Sequence, residues 1–144
     1  MKTESLPDTI QAILAQAGGL GLHGAFVYVG AQHFTYRCAE PVGEYRSSRM
    51  SRLASEAGQG FVDYEVGLQC RVNGKPSRAW TLVIAYEPDD TYSVWLVEGH
   101  KGRQPDSMVL ACHRDVYCDT LQTVIESTYD AAIREHNDGF IPLS

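Results

Sequence analysis

Cys112 and His113 are adjacent, and Cys118 follows five residues after His113. Thiolates and imidazoles are zinc ligands, and a thiol beside a base can act as a nucleophile. The spacing fits poorly, because structural zinc sites place two to four residues between paired cysteines. Neighbouring strand residues also point to opposite faces, so Cys112 and His113 would not act on one atom. We therefore predict no metal site and no catalytic residue here, and we keep Cys112 and His113 as candidate binding residues.

Two further patterns resemble catalytic motifs but lack their context. His113-Arg114-Asp115 begins like a kinase catalytic loop, but no asparagine follows at the required offset and no glycine-rich loop precedes it. The glycines between positions 18 and 24 would need a strand before them and a helix after them to hold a phosphate. The order predicted here is the reverse, so we interpret them as a helix end and a turn. No cofactor is predicted.

Arg46, Arg49 and Arg52 lie within about two turns of a predicted helix. Guanidinium groups in such a row can receive carboxylates or phosphates of a partner. The alternative is a solvated helix flank, on which Arg52 pairs with Glu56. His100, in a loop, joins the same candidate binding patch if the fold brings it close.

The last residues, from Phe140 to Leu143, are unusually apolar for the end of a chain. They either fold back onto the core or dock on a partner, which makes Phe140 a candidate binding residue. The sequence also contains 8 tyrosines, a residue type that is favoured at recognition surfaces for its large, half-polar ring.

Length and composition predict one globular domain over residues 1–144, since 44% of the residues are hydrophobic and 21% are charged. Residues 1–10 lack the apolar run of a secretory signal, and no stretch is long and apolar enough to span a membrane. We therefore expect a cytoplasmic protein whose 4 cysteines are free thiols. The net charge of −6 disfavours nonspecific binding to nucleic acid or to an anionic membrane.

Apolar residues at helical spacing predict helices over 6–17, 44–57 and 116–136. In the second helix, the serines at 48, 51 and 55 are predicted to face solvent. The inward stripe of the last helix is predicted to contain Leu121, Val124, Ile125, Thr128 and Ala132.

Strands are predicted where β-branched and aromatic residues alternate or form short runs. The predicted strands are 25–29 and 34–38, as a hairpin, followed by 66–72, 79–86, 92–97 and 108–112. Alternation places Val66, Leu68, Cys70 and Val72 on one face of the strand 66–72. The strands 79–86 and 92–97 carry apolar residues on both faces, so we predict that the sheet is covered on both sides near its centre. Asn73-Gly74 favours a two-residue turn, which would pair Val72 with Lys75. This register places Trp80 opposite Gly67, where its ring can cover the glycine backbone.

These elements predict an α+β fold: a single antiparallel sheet of about five to six strands covered by two to three helices, in the order α-ββ-α-ββββ-α. This order resembles profilin-like and roadblock-type domains, although the strand at 108–112 departs from their pattern. The resemblance implies a sheet between helices at its two faces, and a role in binding or dimerisation.

Our first functional hypothesis is a noncatalytic intracellular protein-binding module of the inhibitor, immunity or accessory type, which binds a partner protein or associates with itself. An acidic domain is suited to a basic partner. The alternative is a small-molecule-binding domain or small enzyme with a pocket between sheet and helix, near Cys112, His113, His100 or Tyr92. Nucleic-acid binding by the arginine row is disfavoured by the net charge.

Overall fold

The computed structural model describes residues 7–18, 24–38, 47–51, 61–73, 80–98 and 108–135. The helices within these residues are α1 (Asp8–Gln16), α2 (Ala25–Tyr28) and α3 (Leu121–Glu135). The strands are β1 (Gln32–Cys38), β2 (Arg49–Ser51), β3 (Phe61–Asp63), β4 (Val66–Val72), β5 (Trp80–Tyr86), β6 (Tyr92–Glu98) and β7 (Met108–Val116).

Five of the strands form one antiparallel sheet in the order β1-β4-β5-β6-β7. The remaining two, β2 and β3, pair with each other in a separate antiparallel ribbon. The predicted α+β fold with a single sheet of about five strands is therefore confirmed, and the predicted order of elements matches only roughly. The strand β5 lies at the centre of the sheet, and β1 and β7 lie at its edges.

The helices pack on one face of the sheet, which we call the helix face. Leu68, Ile84 and Val94 of the three central strands are buried there, in one core with residues of α1, α2 and α3. The predicted alternation of β4 is confirmed, because its residues 66, 68, 70 and 72 are all buried. Hydrophobic periodicity is thus sufficient to orient this strand.

The opposite face of the sheet, which we call the ribbon face, is covered by β2 and β3. Val83, Trp95 and Val97 form a second core there with Val62 of β3 and with Tyr64. All three helices of the described residues contribute to the first core and none to this one. The expectation of helices at both faces is therefore wrong for the described part of the chain.

Residues 25–29 were predicted as a strand, but 25–28 form α2. Backbone N–H groups of Tyr28 and Val29 donate to the carbonyls of Gly24 and Ala25, as in a helical turn. The helix buries Phe26 and Val29 on one side against the core. Tertiary burial has overridden the β propensity of this short apolar run, and β1 has no hairpin partner in it.

The predicted helix over 44–57 is also wrong in its described part. Residues 49–51 are β2, and Ser48, which was expected to face solvent, is buried. Residues 44–46 and 52–57 lie outside the described residues. The helical spacing of apolar residues here had no strong caps to support it, and a three-residue strand leaves no detectable period of its own.

The register between β4 and β5 differs from the one that Asn73-Gly74 suggested. Val72 pairs with Trp80, so residues 73–79 separate the two strands. Leu68 therefore stands opposite Ile84, and both are buried on the helix face. The predicted register would have paired Leu68 with Ala79. The register is therefore set by the burial of the larger apolar residues together, and not by the turn that Asn73-Gly74 favours.

Gly67 pairs with Ala85 rather than with Trp80, and a different aromatic ring covers it. A Cβ atom on Gly67 would lie 2.5 Å from the Ile84 carbonyl oxygen and 2.9 Å from Cδ2 of Tyr64. The predicted aromatic cover of this glycine thus exists, but Tyr64 supplies it.

The boundary between the last strand and the last helix lies further along the sequence than predicted. β7 continues to Val116, a turn occupies 118–120, and α3 begins at Leu121. Of the predicted inward stripe of α3, residues 121, 125, 128 and 132 are buried and Val124 is partly buried against the same core.

Candidate functional site

The structure separates the residues that the sequence suggested for binding. Arg46, Arg52, His100 and Phe140 lie outside the described residues. Arg49 lies on β2, and its Nε is 3.6 Å from Oδ2 of Asp63 on β3. It belongs to a strand, so the prediction that helical spacing aligns it with the other two arginines is wrong.

The structure does not bring Cys112 and His113 together. On β7, Cys112 stands opposite Trp95 and packs against the core of the ribbon face, whereas His113 stands opposite Val94 of the other face and is exposed. Burial raises the pKa of the Cys112 thiol, although the nearby Arg114 charge acts in the opposite direction. A lowered pKa favours a nucleophilic cysteine, and burial acts in the opposite direction here.

Sequence reasoning missed a buried polar cluster at one end of the ribbon face. It is centred on Glu87, which directly follows β5, and its carboxylate accepts four hydrogen bonds. The donors are the backbone N of Ser48 at 2.9 Å, Ser48 Oγ at 3.2 Å, Ser93 Oγ at 3.0 Å and Arg114 Nη1 at 2.9 Å. Only 7% of the Glu87 side chain is exposed, against 44% for Arg114. These hydrogen bonds offset the cost of burying a polar side chain.

The same cluster fastens Ser48 to the sheet through both of its backbone polar groups. While Glu87 accepts from the Ser48 N–H, Arg114 Nη2 donates to the Ser48 carbonyl at 2.7 Å. Trp95 Nε1 donates to Ser48 Oγ at 3.0 Å, and the Arg114 guanidinium lies 5.1 Å from the centre of the Trp95 ring. The cluster therefore anchors the start of β2 and leaves no free acid or base.

One signal could have found this cluster. Glu87 is a charged residue placed directly after an apolar interior strand, where a carboxylate needs a buried partner. The partners themselves, at positions 48, 93 and 114, were not predictable, because the strand order brings them together.

An open groove of about 340 Å³ lies where α2 meets β1. Apolar side chains and amides form its walls, and none of them is titratable. The lining residues are Phe26, Val27, Gly30, Ala31, Gln32, Phe34 and Asn73. The groove offers shape and amide hydrogen bonds to a ligand, and no group for acid or base catalysis.

The turn that forms the floor of this groove is held in place by the end of β4. The backbone N–H of Asn73 donates to the Val29 carbonyl at 3.0 Å, and the N–H of Ala31 donates to the Phe26 carbonyl at 2.9 Å. Gly30 adopts a φ of +68°, a left-handed conformation that favours glycine. These hydrogen bonds and this backbone conformation hold the turn in place beside the groove.

Large apolar side chains are exposed on α2 and β1. Val27 is 49% exposed, Tyr28 51% and Tyr36 42%. Tyr28 is held in place, because its hydroxyl donates to Asp130 Oδ1 at 2.6 Å and its ring meets Tyr129 edge-on at 6.2 Å. We call these three residues, the groove and the outer edge of β1 the α2–β1 surface.

The two edges of the sheet differ in how they could receive another strand. The pairing of β1 is irregular only between Gln32 and Thr35, where His33 has a φ of +56°, so residues 35–38 form a regular edge. The pairing of β7 is irregular at two places, and Asp115 on it has a φ of +58°. Bulges and charges protect an edge from strand addition, so β1 is the more accessible edge.

Among the residues described, no cluster of three or more histidine, cysteine, aspartate or glutamate side chains is placed to hold a metal ion. None of the described helices has the length and apolar character needed to cross a membrane. This chain matches no protein-family model, no curated protein and no solved structure.

Proposed function

We propose that this chain is a noncatalytic protein-binding module and that the α2–β1 surface is its recognition surface. The proposal rests mainly on one observation: within the described residues, a groove lined by apolar side chains and amides lies beside the edge strand β1, whose residues 35–38 pair regularly. Extended peptides bind proteins in this way, with main-chain hydrogen bonds to the edge and side chains in neighbouring pockets. Contiguous exposed apolar residues commonly mark such sites.

The chemistry of the described residues supports binding rather than catalysis. The Glu87 carboxylate is saturated by four donors. Cys112 is separated from His113 by the plane of the sheet. The groove contains only the amides of Gln32 and Asn73 as polar side chains. A nucleophile, an acid or a base would need a different arrangement.

A small-molecule ligand in the same groove is the alternative function. The volume of about 340 Å³ favours it, because small-molecule sites commonly have volumes of roughly 300–1,000 Å³. The open shape of the groove and the exposed residues beside it favour a larger partner. This alternative uses none of Cys112, His113 and Tyr92, since none of them lines the groove.

A pair of matched double variants tests the proposal. V27D/Y36D places charges on the α2–β1 surface, and V109D/Y117D places the same charges on exposed apolar residues of β7 and the turn after it. Both variants change exposed side chains, so both should keep the circular dichroism spectrum of the parent protein. Each is expressed in the natural source cells, and the proteins bound to it are quantified by mass spectrometry.

We expect V27D/Y36D to lose the partner proteins that the parent protein and V109D/Y117D retain. If both variants retain the same partners, the α2–β1 surface is not the recognition surface. If no partner protein depends on Val27 and Tyr36 but a bound small mass in the native mass spectrum does, the small-molecule alternative is correct.

A further inference from the structure

Two exposed arginines lie on the ribbon face of β1 and of the neighbouring strand β4, whereas the acidic residues Asp130 and Glu126 lie beside Tyr28 at the α2 end of the α2–β1 surface. Arg37 on β1 stands opposite Gly67, and Arg71 on β4 stands opposite Gln32, a residue of the groove. Both side chains are exposed, and neither makes an ion pair with another described residue. The chain as a whole has a net charge of −6. Two guanidinium groups that make no ion pair with a described residue, at and next to the strand edge, therefore indicate the charge of what binds to this face of β1.

The alternation of β1 determines which side chains an added strand would meet. Tyr36 stands opposite Leu68 and Phe34 packs into the helix-face core, so both lie on the helix face near the groove. Arg37 lies on the ribbon face, opposite Gly67. Side chains of a strand paired to β1 would point alternately to these two faces. They would meet apolar groups on one face and guanidinium groups on the other.

We infer that the partner binds through an extended acidic segment, in which aspartate or glutamate alternates with apolar residues and which adds to the edge of β1. This inference rests on the proposed function and names the chemistry of the partner. The carboxylates pair with Arg37 and Arg71, whose planar forks match a carboxylate. The apolar residues contact Tyr36 and enter the groove beside Val27 and Phe34.

The same charges argue against two other occupants of this edge. A basic segment would be repelled by the two arginines. A second copy of the chain, paired through its own β1, would bring two copies of Arg37 onto one face of the joined sheet, and like charges at such positions are destabilising. For this surface the inference thus differs from the expectation that an acidic chain binds a basic partner, which stays a prediction for the chain as a whole.

Two synthetic peptides of equal length test the inference. One alternates aspartate with valine and the other alternates lysine with valine, and both have blocked ends. Their binding to the full chain is measured by fluorescence anisotropy, and the backbone amide signals of residues 35–38 are followed by NMR. We expect only the acidic peptide to bind and to shift these signals.

Variants of the chain then test whether Arg37 and Arg71 are responsible for the preference for the acidic peptide. R37Q/R71Q should weaken binding of the acidic peptide by about tenfold, since exposed ion pairs are modest individually. R37E/R71E should abolish that binding and allow the lysine peptide to bind. R134Q removes an exposed arginine from α3 and should leave both results unchanged.

The inference is overturned if both peptides bind equally, if neither binds, or if R37E/R71E binds the acidic peptide as the parent does. It is also overturned if ultracentrifugation shows a dimer that Y36D disrupts. In each case the proposed function survives if V27D/Y36D still loses the natural partners and V109D/Y117D does not. The two failures are therefore distinguishable.

Discussion

The side chain of Asn73 occupies the space in which a side chain on Gly30 would have to lie. A Cβ atom built on Gly30 would be 2.1 Å from Asn73 Nδ2 and 2.5 Å from Asn73 Cγ. The contact joins the end of β4 to the turn between α2 and β1, next to the backbone hydrogen bond from Asn73 to Val29. The shape of the groove therefore depends on this pair.

Gly30→Ala should lower the free energy of unfolding by about 2 kcal/mol. The left-handed φ alone costs an L-residue about 1–2 kcal/mol, and the contact with Asn73 adds to it. Denaturant unfolding measures the loss. In an Asn73→Ala background the same substitution should cost less, because the clash is absent there. Equal costs in both backgrounds would show that Asn73 does not constrain Gly30.

Glu87→Ala should destabilise the protein by about 3 kcal/mol, because it leaves the buried Ser48 N–H without an acceptor and Arg114 without its ion pair. Glu135→Ala, which removes an exposed carboxylate at the end of α3, is the control. It should change the stability by no more than about 0.5 kcal/mol. Comparable effects of the two substitutions in denaturant unfolding would contradict the anchoring role of the cluster.

The cysteines should react with an alkylating reagent in an order determined by exposure and pKa. Cys118 is exposed and should react first; Cys112 should react more slowly because burial raises its pKa. Burial raises the pKa of Cys70 to about 12, so at pH 8 only about one thiol in ten thousand would be ionised. Peptide mass spectrometry measures the three rates. The differences should disappear in denaturant, and labelling of Cys112 as fast as Cys118 in the folded protein would contradict the prediction.

Alkaline pH should destabilise the folded protein partly through Cys70. Burial in the folded protein raises the pKa of this thiol from its ordinary value of 9.0 to about 12. Between these values the unfolded state binds fewer protons than the folded state, so stability falls as pH rises, by about 1.4 kcal/mol per pH unit. A Cys70→Ala variant lacks this contribution. Its loss of stability above pH 9 should be shallower than that of the parent by about this slope.

Ionisation of Tyr64 should also lower the stability of the folded protein as the pH rises, but over a narrower pH range than that of Cys70. Burial raises its pKa from 10.0 to about 12, and its hydroxyl donates to Gln69 Oε1 at 3.0 Å. Tyr64→Phe should therefore reduce the pH dependence only above about pH 10. Identical curves for the parent and both variants would show that neither group remains protonated in the folded state as described.

Periodicity predicted those elements that bury one face over several residues. The apolar stripes of α1 and α3 and the alternation of β4 were predicted from the sequence, and β5 and β6 were correctly assigned as strands that are buried on both faces. Short elements were not predicted correctly. The four residues of α2 and the three residues of β2 are too short to show a period, and their conformation follows from the surfaces on which they pack.

In the candidate site, too, features that depend on neighbouring residues could be predicted and features that depend on distant residues could not. The separation of Cys112 from His113 could be predicted because strand alternation is local. The partners of Glu87 could not be predicted, since Ser48 and Arg114 are 66 positions apart. Of the groove residues, Asn73 was predicted only as part of a turn; its contact with Gly30 depends on the pairing of β1 with β4.

The sequence by itself determined the class of the fold, the longer helices and the inward faces of the central strands, because each depends on neighbours within one or two turns or strand repeats. Only the tertiary structure decided the register of β4 on β5, the ribbon that covers the second face, and the placement of Arg37 and Arg71 on one face at the edge of the sheet. These features depend on which distant apolar surfaces can be buried together, and local spacing does not contain that information.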